Sequence, residues 1–183
     1  MRIISGKWGG RRLVSFKSDA IRPTTDRVKE TVFNMIGPDI QGASFLDLFC
    51  GTGSVTFEAL SRGAKEVYSV DKGKDSKNIT LKNASQLDAR DDFNFISSDV
   101  LKFLEKNNKT FDLIFIDPPF TQKMGAEVMR GLAKSKAVGE DTMVFIEYVK
   151  GEEIFDPAGS ILCEYKVRDY KDKFLYVYRS ETE

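Results

Sequence analysis

At 183 residues and 20.7 kDa the chain suits one domain, or one domain with a small appendage, and its 41% hydrophobic residues suffice for a substantial core. Twenty-eight basic and 28 acidic residues leave no net charge, 14 Phe and 6 Tyr argue against disorder, and no apolar run approaches the roughly 18 residues of a membrane span. Histidine is absent, which removes His-based triads, His–metal sites and imidazole general bases together. Cys50 and Cys163 make no metal-type spacing and fit a reducing compartment. Met1–Lys7 lacks the apolar core of a signal peptide, so a cytoplasmic protein without metal or membrane association is expected.

The charge is unevenly placed. Residues 1–30 hold eight cations (Arg2, Lys7, Arg11, Arg12, Lys17, Arg22, Arg27, Lys29) against Asp19, Asp26 and Glu30, a net +5 that leaves −5 on the remainder. A basic arm on a mildly acidic body suggests a polyanion binder, and a merely solvated terminus would read the same way.

After this arm, Thr24-Thr25-Asp26 offers N-capping oxygens for a helix on which Val28, Val32, Met35 and Ile36 follow helical spacing, with Gly37-Pro38 stopping the run. Short apolar strands then alternate with amphipathic helices. The strands expected are Phe45–Phe49, Val67–Val70, Phe93–Ile96, Leu113–Ile116 and Met143–Tyr148; the helices lie near Val55–Arg62, Asp75–Leu87, Val100–Lys106 and Ala126–Lys136. Gly63 sits where a helix C-cap is wanted. Alternation of this kind implies right-handed crossovers and a doubly wound, mostly parallel sheet. At the end the rhythm breaks: Ile161–Val167 and Phe174–Tyr178 are joined by a polar turn around Lys171-Asp172, a hairpin that adds an antiparallel strand. Five βα units closed by such a hairpin describe a seven-stranded methyltransferase sheet better than a dinucleotide-binding one.

Three features carry chemistry. The first is the turn Asp47-Leu48-Phe49-Cys50-Gly51-Thr52-Gly53, where strand meets helix and ligands of open α/β sheets bind. A dinucleotide fingerprint would need a third glycine at the position held by Thr56. The second is Asp71, ending the next strand, placed to accept hydrogen bonds from ribose hydroxyls or simply to cap a helix; Asp99, after the third strand, could accept from an adenine amine or serve as a plain N-cap. The third is Leu113-Ile114-Phe115-Ile116 running into Asp117-Pro118-Pro119-Phe120. Prolines remove amide donors and leave carbonyls turned outward. Asp117 and the Pro118 carbonyl can accept the two N–H bonds of an exocyclic base amine, a poor nucleophile, and stabilise the charge that develops on it. Phe120 offers a face on which an extruded base stacks.

Phe49-x-Gly51-x-Gly53 followed by Asp-Pro-Pro-Phe resembles the S-adenosylmethionine-dependent amino methyltransferases. More narrowly, Arg2-Ile3-Ile4-Ser5-Gly6-Lys7-Trp8, Arg22–Thr31, Leu46–Phe49 and Glu58–Ala64 make the chain similar to the RsmD family of bacterial 16S ribosomal RNA (guanine-N2) methyltransferases, over nearly its whole length. The resemblance implies a Rossmann-like class I methyltransferase domain over residues 41–183, preceded by a basic arm and helix over residues 1–40 as an RNA-binding appendage. It implies S-adenosylmethionine on the loop Asp47–Gly53 (Asp47, Phe49, Gly51, Gly53) with Asp71 and Asp99, and the target base on Asp117, Pro118, Pro119 and Phe120 as catalytic residues. Arg11, Arg12, Arg22 and Arg27 are expected to grip RNA phosphates, and the partner to be 16S ribosomal RNA, free or within a partly assembled small subunit. Cys50 stands where many relatives carry alanine, and nothing argues for a catalytic thiol. An N6-adenine DNA methyltransferase and a noncatalytic RNA-binding assembly factor are the alternatives. The first is opposed by a length that leaves little room for a target-recognition domain, the second by the intact Asp117.

Overall fold

Strands covered by helices on both faces read as continuous apolar runs, and Phe45-Leu46, Leu113–Ile116 and Val144–Ile146 are such runs. The computed structural model describes residues 1–16 and 26–181. Along it lie α1 (Asp26–Ile36), β1 (Ser44–Leu48), α2 (Ser54–Arg62), β2 (Glu66–Asp71), α3 (Lys74–Leu87), β3 (Phe93–Ser97), α4 (Val100–Lys106), β4 (Phe111–Ile116), α5 (Gly125–Lys134), β5 (Val138–Val149), β6 (Leu162–Asp169) and β7 (Lys173–Ser180). One seven-stranded sheet has the order β3-β2-β1-β4-β5-β7-β6. Strands β1 to β5 pair in parallel, while β7 runs antiparallel between β5 and β6. The sheet order reverses between β1 and β4, which opens a crevice at their carboxyl ends.

Two apolar clusters sandwich the sheet. Phe45, Phe115 and Phe145 face α1, α2 and α3; Leu46, Ile114 and Ile146 face α4 and α5. Ile3 and Leu13 of the arm bury in the first cluster beside Val28, Val32 and Phe33 of α1, so the arm and α1 share the core of the sheet. Thr24 and Thr25 lie outside the described residues; Gly37, at φ +57°, ends α1, and the chain continues through one 3-10 turn, Gly37–Ile40.

Most expected boundaries fall within two residues of the observed ones. The exception is β5, which begins at Val138, five residues before Met143. The polar stretch Gly139-Glu140-Asp141 hides this start, because it forms a bulge. Thr142 Oγ1 donates to the Phe111 carbonyl at 2.7 Å and accepts from the Gly139 N–H at 2.9 Å, so side chains carry the pairing across the irregularity.

Candidate active site

The turn after β1 is the first wall of the site. Phe49 adopts φ +63°, a left-handed conformation that costs a non-glycine residue about 1–2 kcal/mol. The N–H groups of Phe49 and Cys50 both donate to the Val70 carbonyl, at 2.9 and 3.2 Å, and hold it there. Gly53 also has positive φ (+78°), and a Cβ on it would come within 2.6 Å of the Phe57 ring. Its role is to let α2 start against that ring, and it does not line the cleft. Gly51 does line it, and a Cβ there would meet nothing nearer than 3.9 Å, so this glycine serves its φ of +55°.

Asp71 ties the walls together. Its Oδ2 accepts from the Gly51 N–H at 3.0 Å and its Oδ1 from the Gly73 N–H at 2.7 Å. A carboxylate offers about four lone-pair directions, so these two bonds leave it capacity for ribose hydroxyls. Asp99 caps α4, accepting from the Leu101 and Lys102 N–H groups at 3.0 and 3.4 Å, with Lys72 Nζ 3.5 Å away. The plain N-cap reading therefore accounts for one of its oxygens; the residue also borders the cleft.

Asp47 is 1% exposed and turns its Oδ2 to the Thr56 N–H (3.0 Å) and Thr56 hydroxyl (2.6 Å), pinning α2 to β1. Burial, partly offset by those bonds and reinforced by the nearby Asp117 and Asp71, raises its pKa from 3.8 to about 7. A pKa raised on folding gives stability that is complete below the unfolded value and is lost as pH rises through the folded one. From about pH 4 to 7 Asp47 should therefore cost the protein up to about 1.4 kcal/mol per pH unit. Urea unfolding at a series of pH values should show this slope in the wild type and a flatter one in Asp47→Asn; equal slopes would refute the assignment. Burial, with Asp47 and Asp71 nearby, also pushes the Cys50 thiol well above its ordinary range, so it stays protonated.

The opposite wall is the turn after β4. The Asp117 N–H reaches the Leu48 carbonyl at 3.4 Å, joining the two strand ends across the crevice. The Pro119 carbonyl accepts from the Gln122 N–H at 2.9 Å, so not every backbone carbonyl of this turn is left turned outward for a ligand. Phe120 is 50% exposed, with its ring available at the rim. Asp47, Phe49, Gly51, Asp71, Asp99 and the whole Asp117–Phe120 turn border one cavity of about 880 Å³, within the range of small-molecule and cofactor pockets.

Sequence reasoning missed several walls of this cavity. Met1, Ser15 and Phe16 line it from the arm, and Glu147, Asp172 and Lys173 from the β5 and β7 ends. Asn83 of α3 clamps the arm to the loop: it accepts from the Val14 N–H (2.7 Å) and donates to the Thr52 carbonyl (2.9 Å). Nothing in the spacing of α3 marks that asparagine. A single acid inside the apolar run Phe145-Ile146-Glu147-Tyr148 was a visible signal.

Among the described residues, Arg11, Arg12 and Arg27 stand apart from the cavity lining. Arg11 donates to the Gln86 carbonyl at 2.7 Å, Arg12 lines a small depression that Arg2 and Asp26 also border, and Arg27 lies 5.7 Å from the centre of the Tyr170 ring. Arg22 lies outside the described residues. Lys29, counted with the basic arm, is buried, donating to the Arg2 carbonyl (2.6 Å) and Ser54 (3.0 Å) and pairing with Glu58 (3.4 Å).

A sheet of order β3-β2-β1-β4-β5-β7-β6 with its cleft at the β1/β4 crevice is the Rossmann-like class I methyltransferase fold. The family described as "Conserved hypothetical protein 95" matches residues 1–179. The chain is 35% identical over 179 residues to ribosomal RNA small subunit methyltransferase D of Haemophilus influenzae, covering 96% of this chain and 93% of that one. It is 33% identical over 147 residues to the protein of the same name from Escherichia coli K12, covering 80% and 74%. Among solved structures, the Escherichia coli protein yhhF, to which a methyltransferase activity is ascribed, superposes with a TM-score of 0.86 at 28% identity, covering 100% of this chain and 99% of that one. The chain belongs to the ribosomal RNA small subunit methyltransferase D family.

Proposed function

We propose that the protein methylates ribosomal RNA from S-adenosylmethionine, and that its acceptor is the exocyclic N2 amine of a guanine in the small-subunit (16S) molecule. The observation that carries this reading is the junction of two walls in one cavity: a glycine turn with an acid at the next strand end, facing Asp117-Pro118-Pro119-Phe120. The names and activities of the relatives point the same way, and the donor set suits the cofactor. Asp71, Asp99 and Asp117 border the cleft and concentrate negative charge there, and such a field favours a sulfonium cation.

S-adenosylmethionine supplies an electrophilic methyl group, and both electrons of the broken S–C bond stay on sulfur. The residues of the chain act on the other reactant. Phe120 stacks the extruded base, and Asp117 and the Pro118 carbonyl accept the N2 hydrogens, turning the nitrogen lone pair out of conjugation towards the methyl carbon. As the N–C bond forms, the positive charge on nitrogen is balanced by Asp117, and one N–H proton leaves to solvent. No imidazole is needed, in keeping with a chain that has none. The basic arm, with Arg11, Arg12, Arg22 and Arg27, grips phosphates and presents the strand to the cleft.

Asp71→Ala should weaken S-adenosylmethionine at least about tenfold, since a lost charge-assisted hydrogen bond costs roughly 1.5–3 kcal/mol. Calorimetry reads this directly, and unchanged affinity, or tighter binding of NAD, would contradict the assignment. Transfer of labelled methyl to protein-free small-subunit RNA, with duplex DNA in parallel, tests the substrate class. Label confined to RNA supports ribosomal methylation; label in DNA adenine supports the N6-adenine alternative.

A further inference from the structure

We propose that Glu147 and Lys173 read the Watson–Crick edge of the target base and make this site selective for guanine over adenine. The proposal rests on the amine-methylation reading above and identifies what sets its substrate.

The sheet places three functional groups in a row. Ile116 of β4 pairs with Ile146 of β5, so the next position on each strand sets Asp117 beside Glu147 on one face. Glu147 in turn pairs with Leu175 of β7, and Lys173, two residues earlier, lies on the face of Leu175 and therefore of Glu147. The Lys173 ammonium is ion-paired with the Glu147 carboxylate, and Asp117, Glu147 and Lys173 all border the cleft. The row from β4 through β5 to β7 thus reads acceptor, acceptor, donor.

The edge of guanine reads N2 amine, N1–H, O6: donor, donor, acceptor. With its amine at Asp117, its N1–H meets Glu147 and its O6 meets Lys173. Adenine in the same pose keeps the amine but turns the N1 lone pair onto a carboxylate and offers nothing to the ammonium. A site built to hydrogen-bond one edge rejects the other strongly, because its own buried groups are then left facing the wrong partner. Contact between Glu147 and Lys173 does not exhaust either group, since a carboxylate accepts from about four directions and an ammonium carries three donors.

Burial argues against a purely structural role. The Glu147 side chain is 3% exposed and that of Lys173 14%. A buried ion pair returns little net stability once desolvation is counted, and apolar residues would hold the β5–β7 pairing at least as well. Here the pair stands at the wall of a cavity, beside the acid that meets the amine.

The test uses the RNA substrate with the methylated guanine replaced by 2-aminopurine, which keeps the exocyclic amine but lacks both N1–H and O6. The ratio of kcat/KM for guanine over 2-aminopurine is measured for the wild type, for Glu147→Gln and for Lys173→Gln. Calorimetry with S-adenosylmethionine and melting temperature verify folding. In Glu147→Gln the carboxamide can turn its NH₂ to the N1 of 2-aminopurine, so the ratio should fall about 10- to 100-fold, the worth of one charge-assisted hydrogen bond. Lys173→Gln should lower the ratio as well and serves as the readout if Glu147→Gln does not fold. A merely structural pair would slow both substrates alike and leave the ratio unchanged, which overturns this proposal alone, provided wild-type product digests to N2-methylguanosine. A wild-type product of N6-methyladenosine overturns this proposal and the functional reading together.

Discussion

Asp117→Ala is expected to slow single-turnover methyl transfer by about 10²–10³ while leaving S-adenosylmethionine affinity within about twofold of wild type. The expectation follows from position. Asp117 stands one residue past β4, its backbone tied to the end of β1 through Leu48, on the wall opposite the Asp71 side of the cleft. It is placed to act on the acceptor amine as charge develops, and an interaction made only in the transition state lowers kcat without raising the cofactor's dissociation constant. Asp117→Asn, which keeps an acceptor oxygen and drops the charge, should fall between alanine and wild type. Rapid-quench transfer of labelled methyl, beside calorimetry on the same variants, separates chemistry from binding. Near-wild-type turnover in the alanine variant would remove Asp117 from the mechanism.

The second large effect belongs to stability. Glu58 of α2 is fully buried and accepts from the Ile4 N–H (2.7 Å), the Ser5 N–H (3.1 Å) and Arg62 Nε (2.7 Å), with Lys29 Nζ 3.4 Å away. One carboxylate therefore fastens the arm to α2 and balances a buried ammonium, whose pKa is lowered chiefly by desolvation. Removing one member of such a cluster leaves the other charge buried without its counter-ion, at a cost of about 3–5 kcal/mol. For a chain of this size that corresponds to a fall in melting temperature of about 6–20 °C in Glu58→Ala. The same arm carries Met1, Ser15 and Phe16 to the cleft, so cofactor affinity should drop with it. Thermal unfolding decides the matter: a loss under about 2 °C would mean that the cluster does not hold the arm.

Much of this architecture was legible from the residues. Alternating apolar runs and Gly63, at φ +109° after α2, mark the βα units, and the polar turn at Lys171-Asp172 reveals the antiparallel end. The walls of the cleft were legible for the same reason: a glycine turn and a Pro-Pro turn are local chemistry, written in consecutive residues. What escaped is non-local. Lys29 reads as one more cation of a basic arm until α1 packs it against Glu58, 29 positions along the chain. Asp47 borders the cleft as its place in the turn suggests, but its bonds to Thr56, nine residues on, are not written in that turn. Glu147 and Lys173 meet only because β7 inserts between β5 and β6, a choice of pairing that no spacing announces. Phe49, held at positive φ, had no sequence signature, since glycine is the residue that advertises such a conformation.

The central claim, transfer of a methyl group to guanine N2 of small-subunit ribosomal RNA, is tested most directly by mass-spectrometric nucleoside analysis of that RNA from cells with and without this protein. Complementation with the wild type and with Asp117→Ala completes the comparison. The account predicts that N2-methylguanosine falls by one residue per small subunit in the deletion, returns with the wild-type gene and does not return with the alanine variant. An unchanged N2-methylguanosine content, or the loss of a different modified nucleoside, would contradict it.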